Sequence, residues 1–88
     1  MLLLALIFAV AAYAADRDFY KILGLKRNCN AAAIKKAYRK LTMKYHPDKN
    51  QDKKEWAKNM FADISAANEV LTDPEKRRLY DRGGEEAV

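Results

Sequence analysis

Between Ile34 and Tyr45 the residues Ile34, Ala37, Tyr38, Leu41 and Tyr45 recur at i, i+3, i+4, i+7 and i+11, the spacing that gathers side chains on one arc of an α-helix. Lys35, Lys36, Arg39, Lys40 and Lys44 fall on the opposite arc. A second helical stripe of similar length follows: Trp56, Met60, Phe61, Ile64, Ala67, Val70 and Leu71. Two apolar stripes joined by a short polar connection predict an antiparallel helical hairpin, with Trp56, Phe61 and Leu71 in its core.

The flanking segments carry helix punctuation. Asp18 is a capping residue before Phe19, Tyr20, Ile22 and Leu23, and Gly24 suits the end of that helix of one or two turns. Lys26 to Cys29 is a polar connection. Asn30 is the next cap, and Ala31, Ala32 and Ala33 favour the helix that runs to about Tyr45. Asp52 and Glu55 have capping-box spacing and predict the start of the third helix. Asp73 at the cap and Pro74 at the first helical position begin a fourth, over Glu75 to Arg82, which Gly83 and Gly84 end. Glu85 to Val88 reads as the start of a linker or tail. There is no strand pattern and no internal repeat, so the expected fold is all-α with four helices.

The connection inside the hairpin is a candidate site. Pro47 has no backbone donor and clashes with the preceding turn, so the second helix ends near Tyr45 and His46 is pushed into extended backbone. Asp48 to Asp52 supplies turn chemistry, which makes His46, Pro47 and Asp48 part of an exposed loop on a rigid scaffold. On the helix before it, Lys35 with Arg39, Lys36 with Lys40 and Lys40 with Lys44 are like-charged i, i+4 neighbours, each costing a few tenths of a kcal/mol. No acidic residue between Ile34 and Tyr45 relieves them, so this face is a candidate docking surface for a negative partner.

Composition sets limits on the chemistry. Residues 1–15 carry no charged side chain, and Ala12-Tyr13-Ala14 forms an A-x-A cleavage pattern, so residues 1–14 are expected to be a secretory signal and the mature chain to start at Ala15. The apolar stretch is short for a membrane span. Cleavage would remove no charge and leave the formal +5 on a small domain. One cysteine, Cys29, excludes an internal disulfide, and one histidine with one cysteine makes no set of zinc ligands. Ser65, the only serine, lies mid-helix, which argues against a Ser-His-Asp hydrolase, and no glycine-rich phosphate loop is present. A pI of about 9.4 and the lysine-rich helix leave nucleic-acid binding as the rival reading.

Taken together, Asp18-Phe19-Tyr20-Lys21-Ile22-Leu23-Gly24, Ile34-Lys35-Lys36-Ala37-Tyr38-Arg39-Lys40-Leu41, Tyr45-His46-Pro47-Asp48-Lys49-Asn50, Glu69-Val70-Leu71-Thr72-Asp73-Pro74-Glu75-Lys76-Arg77 and Tyr80-Asp81 occur in an order and spacing that resembles the J-domain of the DnaJ (heat-shock protein 40) co-chaperone family. The resemblance covers Asp18 to about Gly84, a J-domain over residues 15–84, and with the signal-like start it is most similar to a DnaJ protein of the endoplasmic reticulum lumen. It implies a four-helix domain with the His46 loop at the tip of the hairpin. It also implies a non-enzymatic role: docking on a heat-shock protein 70 chaperone, BiP-like in the lumen, and stimulating its ATP hydrolysis. By position, Lys35, Tyr38, Arg39, Lys40 and Lys44 would meet the partner and His46, Pro47 and Asp48 would be the trigger. The nucleotide and magnesium would stay with the partner, leaving this chain without a cofactor, and client polypeptides would be served indirectly. The chain departs from the family pattern at Asn68, where many members have tyrosine, at Ala33, where an acidic residue is common, and at Trp56.

Overall fold

A computed structural model describes residues 17–88; the signal-like segment 1–14 and its expected cleavage point lie outside them. Among the described residues the chain is all-helical: α1 (Phe19–Leu23), α2 (Ala31–Lys44), α3 (Lys54–Thr72) and α4 (Pro74–Gly83), with short 3-10 turns at Pro47–Lys49, Gln51–Lys53 and Glu85–Ala87.

Three of the expected caps form as their chemistry dictates. The Asp18 carboxylate accepts from the Lys21 N–H at 3.1 Å, Asn30 accepts from Ala33 at 2.8 Å, and Asp73 accepts from Glu75 and Lys76 at 2.9 and 3.1 Å, with Pro74 following it. Gly24 closes α1 in the left-handed region at φ +69°, where a side chain would be strained, and its N–H bonds to the Lys21 carbonyl. The capping box expected of Asp52 and Glu55 does not form. The loop continues as a second 3-10 turn, with Lys53 N–H bonded to the Asn50 carbonyl at 3.0 Å, so Asp52 is enclosed in a turn and α3 begins at Lys54 without a side-chain cap.

The core joins Phe19, Tyr20 and Leu23 of α1, Ile34 of α2, Ile64, Ala67 and Leu71 of α3, and Tyr80 of α4. Ile34 alone of the α2 stripe is fully buried; Ala37, Tyr38, Leu41 and Tyr45 are half-covered, because α2 rests mainly on α3 and only lightly on α1. Trp56 corrects the sequence reading. It is 48% exposed while Ala57 beside it is fully buried, so the buried arc at this turn lies one residue further on, and the indole meets the Tyr45 ring edge-on at 5.2 Å with the Lys53 ammonium 5.9 Å from its centre. Leu71 is buried as expected, and Phe61 is half-buried.

Polar ties join the start of the described chain and the α1–α2 connection to α3, α4 and the turn after α4. The Tyr80 hydroxyl donates to the Arg17 carbonyl at 2.8 Å and accepts from the Phe19 N–H at 2.9 Å. The Tyr20 hydroxyl donates to Asp81 at 2.6 Å and accepts from Arg77 at 3.0 Å; burial and the Asp81 bond push its pKa up, against the lowering effect of Arg77. Arg77 also donates to the Cys29 carbonyl at 2.6 Å, pinning the α1–α2 connection to α4. Beyond α4, where the sequence suggests a linker, the Glu85 carboxylate accepts from the Arg17 guanidinium, which also pairs with Asp63 at 3.0 Å.

Candidate functional site: the hairpin loop and the basic face of α2

The geometry of the loop follows from Pro47. Tyr45 ends α2 with its N–H on the Leu41 carbonyl at 2.9 Å, and His46 takes the extended conformation (φ −62°, ψ 133°) required of a residue before proline. Pro47–Lys49 then forms one 3-10 turn, held by Lys49 N–H to His46 carbonyl at 3.0 Å and Asn50 N–H to Pro47 carbonyl at 3.1 Å. His46 Nδ1 accepts from the Asp48 N–H at 3.2 Å, which assigns the proton of the neutral ring to Nε2. On its other side the imidazole stands edge-on to Phe61, with ring centroids 6.2 Å apart. The ring is thus oriented by two contacts while half its side-chain surface stays open. Asp48 is more open still, at 86% exposure, and its Oδ2 lies 3.8 Å from His46 Nδ1. A compact, solvated carboxylate held at the tip of a turn can accept a forked pair of hydrogen bonds from an arginine.

Asn50 is the loop residue whose role the sequence reading missed. Its side-chain amide donates to the Lys44 carbonyl at 3.0 Å and to the His46 carbonyl at 2.9 Å, clasping the loop back onto the end of α2. The last carbonyls of a helix have no partner within the helix, so an amide with two donors is well matched to them. The available signal was an Asn shortly after a proline-terminated helix; it marked a turn, but not which carbonyls the turn would bring within reach. Gln51 adds a longer bond to the Asp48 carbonyl at 3.4 Å.

The basic face leads directly into this loop. Lys35, Lys36, Arg39, Lys40 and Lys44 are all exposed, and among the described residues none of them is in an ion pair. Tyr38 is half-buried at the edge of the core, so one part of the ring supports the hairpin and the rest reaches the surface. Met43, 61% exposed, adds apolar area beside the charges. Helical geometry places Lys35, Arg39 and Met43 on one flank of α2 and Lys36, Lys40 and Lys44 on the other. Lys44 lies 5.4 Å from the centre of the Tyr45 ring, the last aromatic before His46. No group of His, Cys, Asp and Glu among the described residues could hold a metal ion. The arrangement is suited to binding: a row of cations that attracts an acidic surface, then a stiff turn offering one imidazole and one carboxylate.

Comparison with known proteins agrees with this geometry. The family model described as the DnaJ domain matches residues 18–81. The DnaJ homolog dnj-20 of Caenorhabditis elegans is 60% identical over 79 residues, covering 90% of this chain and 22% of that protein. DnaJ homolog subfamily B member 11 of Homo sapiens is 51% identical over 85 residues, covering 97% of this chain and 24% of its own length. Among solved structures, the crystal structure of the J-Trx1 fragment of ERdj5 superposes with a TM-score of 0.76 at 38% identity, covering 82% of this chain and 35% of that one. The chain therefore spans less than a quarter of the length of these curated relatives. With the family pattern matched from Asp18 to Asp81 and the helical hairpin built around the His46 loop, this chain belongs to the DnaJ domain family of co-chaperones.

Proposed function

We propose that this domain docks through α2 and the His46 loop onto a heat-shock protein 70 chaperone and stimulates its ATP hydrolysis, without catalysing a reaction itself. The observation that carries this reading is the continuity of an unpaired basic face with a braced, exposed His46-Pro47-Asp48 turn. Lys35, Arg39, Lys40 and Lys44 supply charge that steers and holds an acidic surface, and Tyr38 contributes contact area at its edge. Asp48 pairs with an arginine of the partner, His46 presents its Nε2–H, and Pro47 limits the wandering of both. Nucleotide and magnesium belong to the partner, and client polypeptides gain by being trapped when that nucleotide is hydrolysed.

The proposed setting is the endoplasmic reticulum lumen, with a BiP-like chaperone as partner. The apolar start ending in Ala12-Tyr13-Ala14 and the likeness to the ERdj5 fragment support it. Single-turnover ATP hydrolysis by a luminal heat-shock protein 70, with and without residues 15–88, tests the proposal. Stimulation that falls when Arg39 is changed to Glu is expected. A folded, unaltered domain that leaves the hydrolysis rate unchanged would overturn it.

A further inference from the structure

The two flanks of α2 are not equivalent. Lys35 and Arg39 border, with Ala32, a depression of about 430 Å³ that no large aliphatic side chain among the described residues lines, whereas Lys36, Lys40 and Lys44 rim a cleft of about 440 Å³ between α2 and the turn that ends α1. The floor of that cleft is apolar, formed by Leu25, Ala37 and Leu41, each only partly covered by the core it packs against. Both walls are fixed. Leu25 is held by its N–H bond to the Tyr20 carbonyl at 2.8 Å, immediately after the left-handed Gly24, and the other residues lie on a regular helix. No carboxylate among the described residues lines the cleft, and Ala33, where the family often carries an acid, leaves its upper wall uncharged.

Lys36, Lys40 and Lys44 follow one another at i, i+4 spacing, about 6 Å apart along the helix axis. A helix lying alongside α2 with carboxylates at the same spacing would meet all three, while its aliphatic side chains one position over entered the cleft. We propose that this cleft is a second docking site, for a partner polypeptide segment that forms an amphipathic helix with aliphatic side chains between carboxylates one turn apart. Nucleic acid and anionic bilayers match the rim but not the floor: phosphates gain nothing from Leu25 and Leu41, and a flat surface does not reach a recessed one. The site shares Lys40 and Lys44 with the face proposed to meet the chaperone but leaves out the His46 loop, and a peptide titration reads it without the chaperone.

The test is a titration of isotope-labelled residues 15–88, which contain the buried core of the described residues, followed by amide NMR shifts at about 0.15 M salt, where charges are screened beyond roughly 8 Å. The probe is a capped 14-residue helical peptide with Leu at i, i+3 and i+7 and Glu at i+4 spacing on the adjoining face. The largest shifts are expected at Leu25, Ala37 and Leu41. Lys36→Glu with Lys44→Glu should weaken binding on the order of tenfold, and Lys35→Glu with Arg39→Glu less than about threefold. Ala33→Glu guards against loss of fold: Glu at the third helical position completes a capping box with Asn30, so that variant stays folded while repelling the peptide about threefold. Three results would overturn the proposal: shifts centred on the Lys35–Arg39 flank, equal losses from both charge-reversed pairs, or equal affinity for a peptide with Ser in place of Leu. A short DNA duplex or anionic vesicles competing as well as the peptide would do the same.

Discussion

Removing the Asn50 clasp should separate folding from function. Asn50→Ala deletes two neutral hydrogen bonds, to the carbonyls of Lys44 and His46, each worth a net 0.5–1.5 kcal/mol in a typical setting, by rough estimate. Both bonds are exposed, so water can replace the lost donors, and the pair is worth about 1 kcal/mol. For a domain of this size that lowers the thermal midpoint by roughly 4–8 °C, leaving a folded protein. The functional loss should be larger, because freeing the backbone of even two loop residues costs roughly 2–4 kcal/mol to reorder in a complex. Asn50→Asp is the sharper variant. It sets a carboxylate against two carbonyl oxygens at the negative end of α2 and should damage the loop more than Ala does. Melts followed by circular dichroism and single-turnover ATPase stimulation read the two effects separately. Melting midpoints for both variants within about 1 °C of the unaltered domain, or an Asp variant milder than the Ala variant, would refute the clasp.

Three further outcomes are expected. Tyr80→Phe leaves the buried Phe19 N–H without its hydroxyl acceptor and should cost about 1–3 kcal/mol in urea denaturation, where a loss below about 0.5 would contradict the assignment. The hydrogen bonds from Arg17 hold the Glu85 carboxyl below its ordinary range, so the stabilisation is present above the ordinary carboxylate pKa of about 4.3 and is lost as pH falls through the lower folded value. Glu85→Gln should therefore melt lower than the unaltered domain at pH 7, with the gap narrowing as acid protonates the folded carboxyl; a gap that does not narrow on acidification would count against the pair. Trp56→Ala should cost only about 1 kcal/mol because its principal ring contact is Tyr45, against roughly 2–5 for Ile64→Ala in the core, and equal losses would mean the indole is better buried than it is here.

What was legible in the chain was local. Asp18, Asn30, Asp73 and Pro74 act on backbone groups two or three residues away, so their caps could be anticipated from the residues alone. Pro47 likewise dictates its own loop, and the basic arc of α2 is exposed as its period requires. The start of α3 was not legible, because capping-box spacing at Asp52 and Glu55 says nothing of the 3-10 turn that encloses Asp52. Trp56 fits the spacing of the apolar stripe, but Ala57 takes the buried position at that turn, an offset of one residue that the spacing alone does not resolve. The Glu85–Arg17 tie joins residues 68 apart, and the Asn50 clasp depends on the path of the turn; neither leaves a mark in sequence spacing.

The most direct measurement is single-turnover ATP hydrolysis by a luminal heat-shock protein 70 in the presence of residues 15–88, comparing the unaltered domain with His46→Gln. Stimulation by the first and its loss in the second are expected, with the circular dichroism of both remaining helical, since His46 is an exposed loop residue outside the buried core. Equal stimulation by the two folded proteins would contradict the proposed function and remove the trigger from the loop.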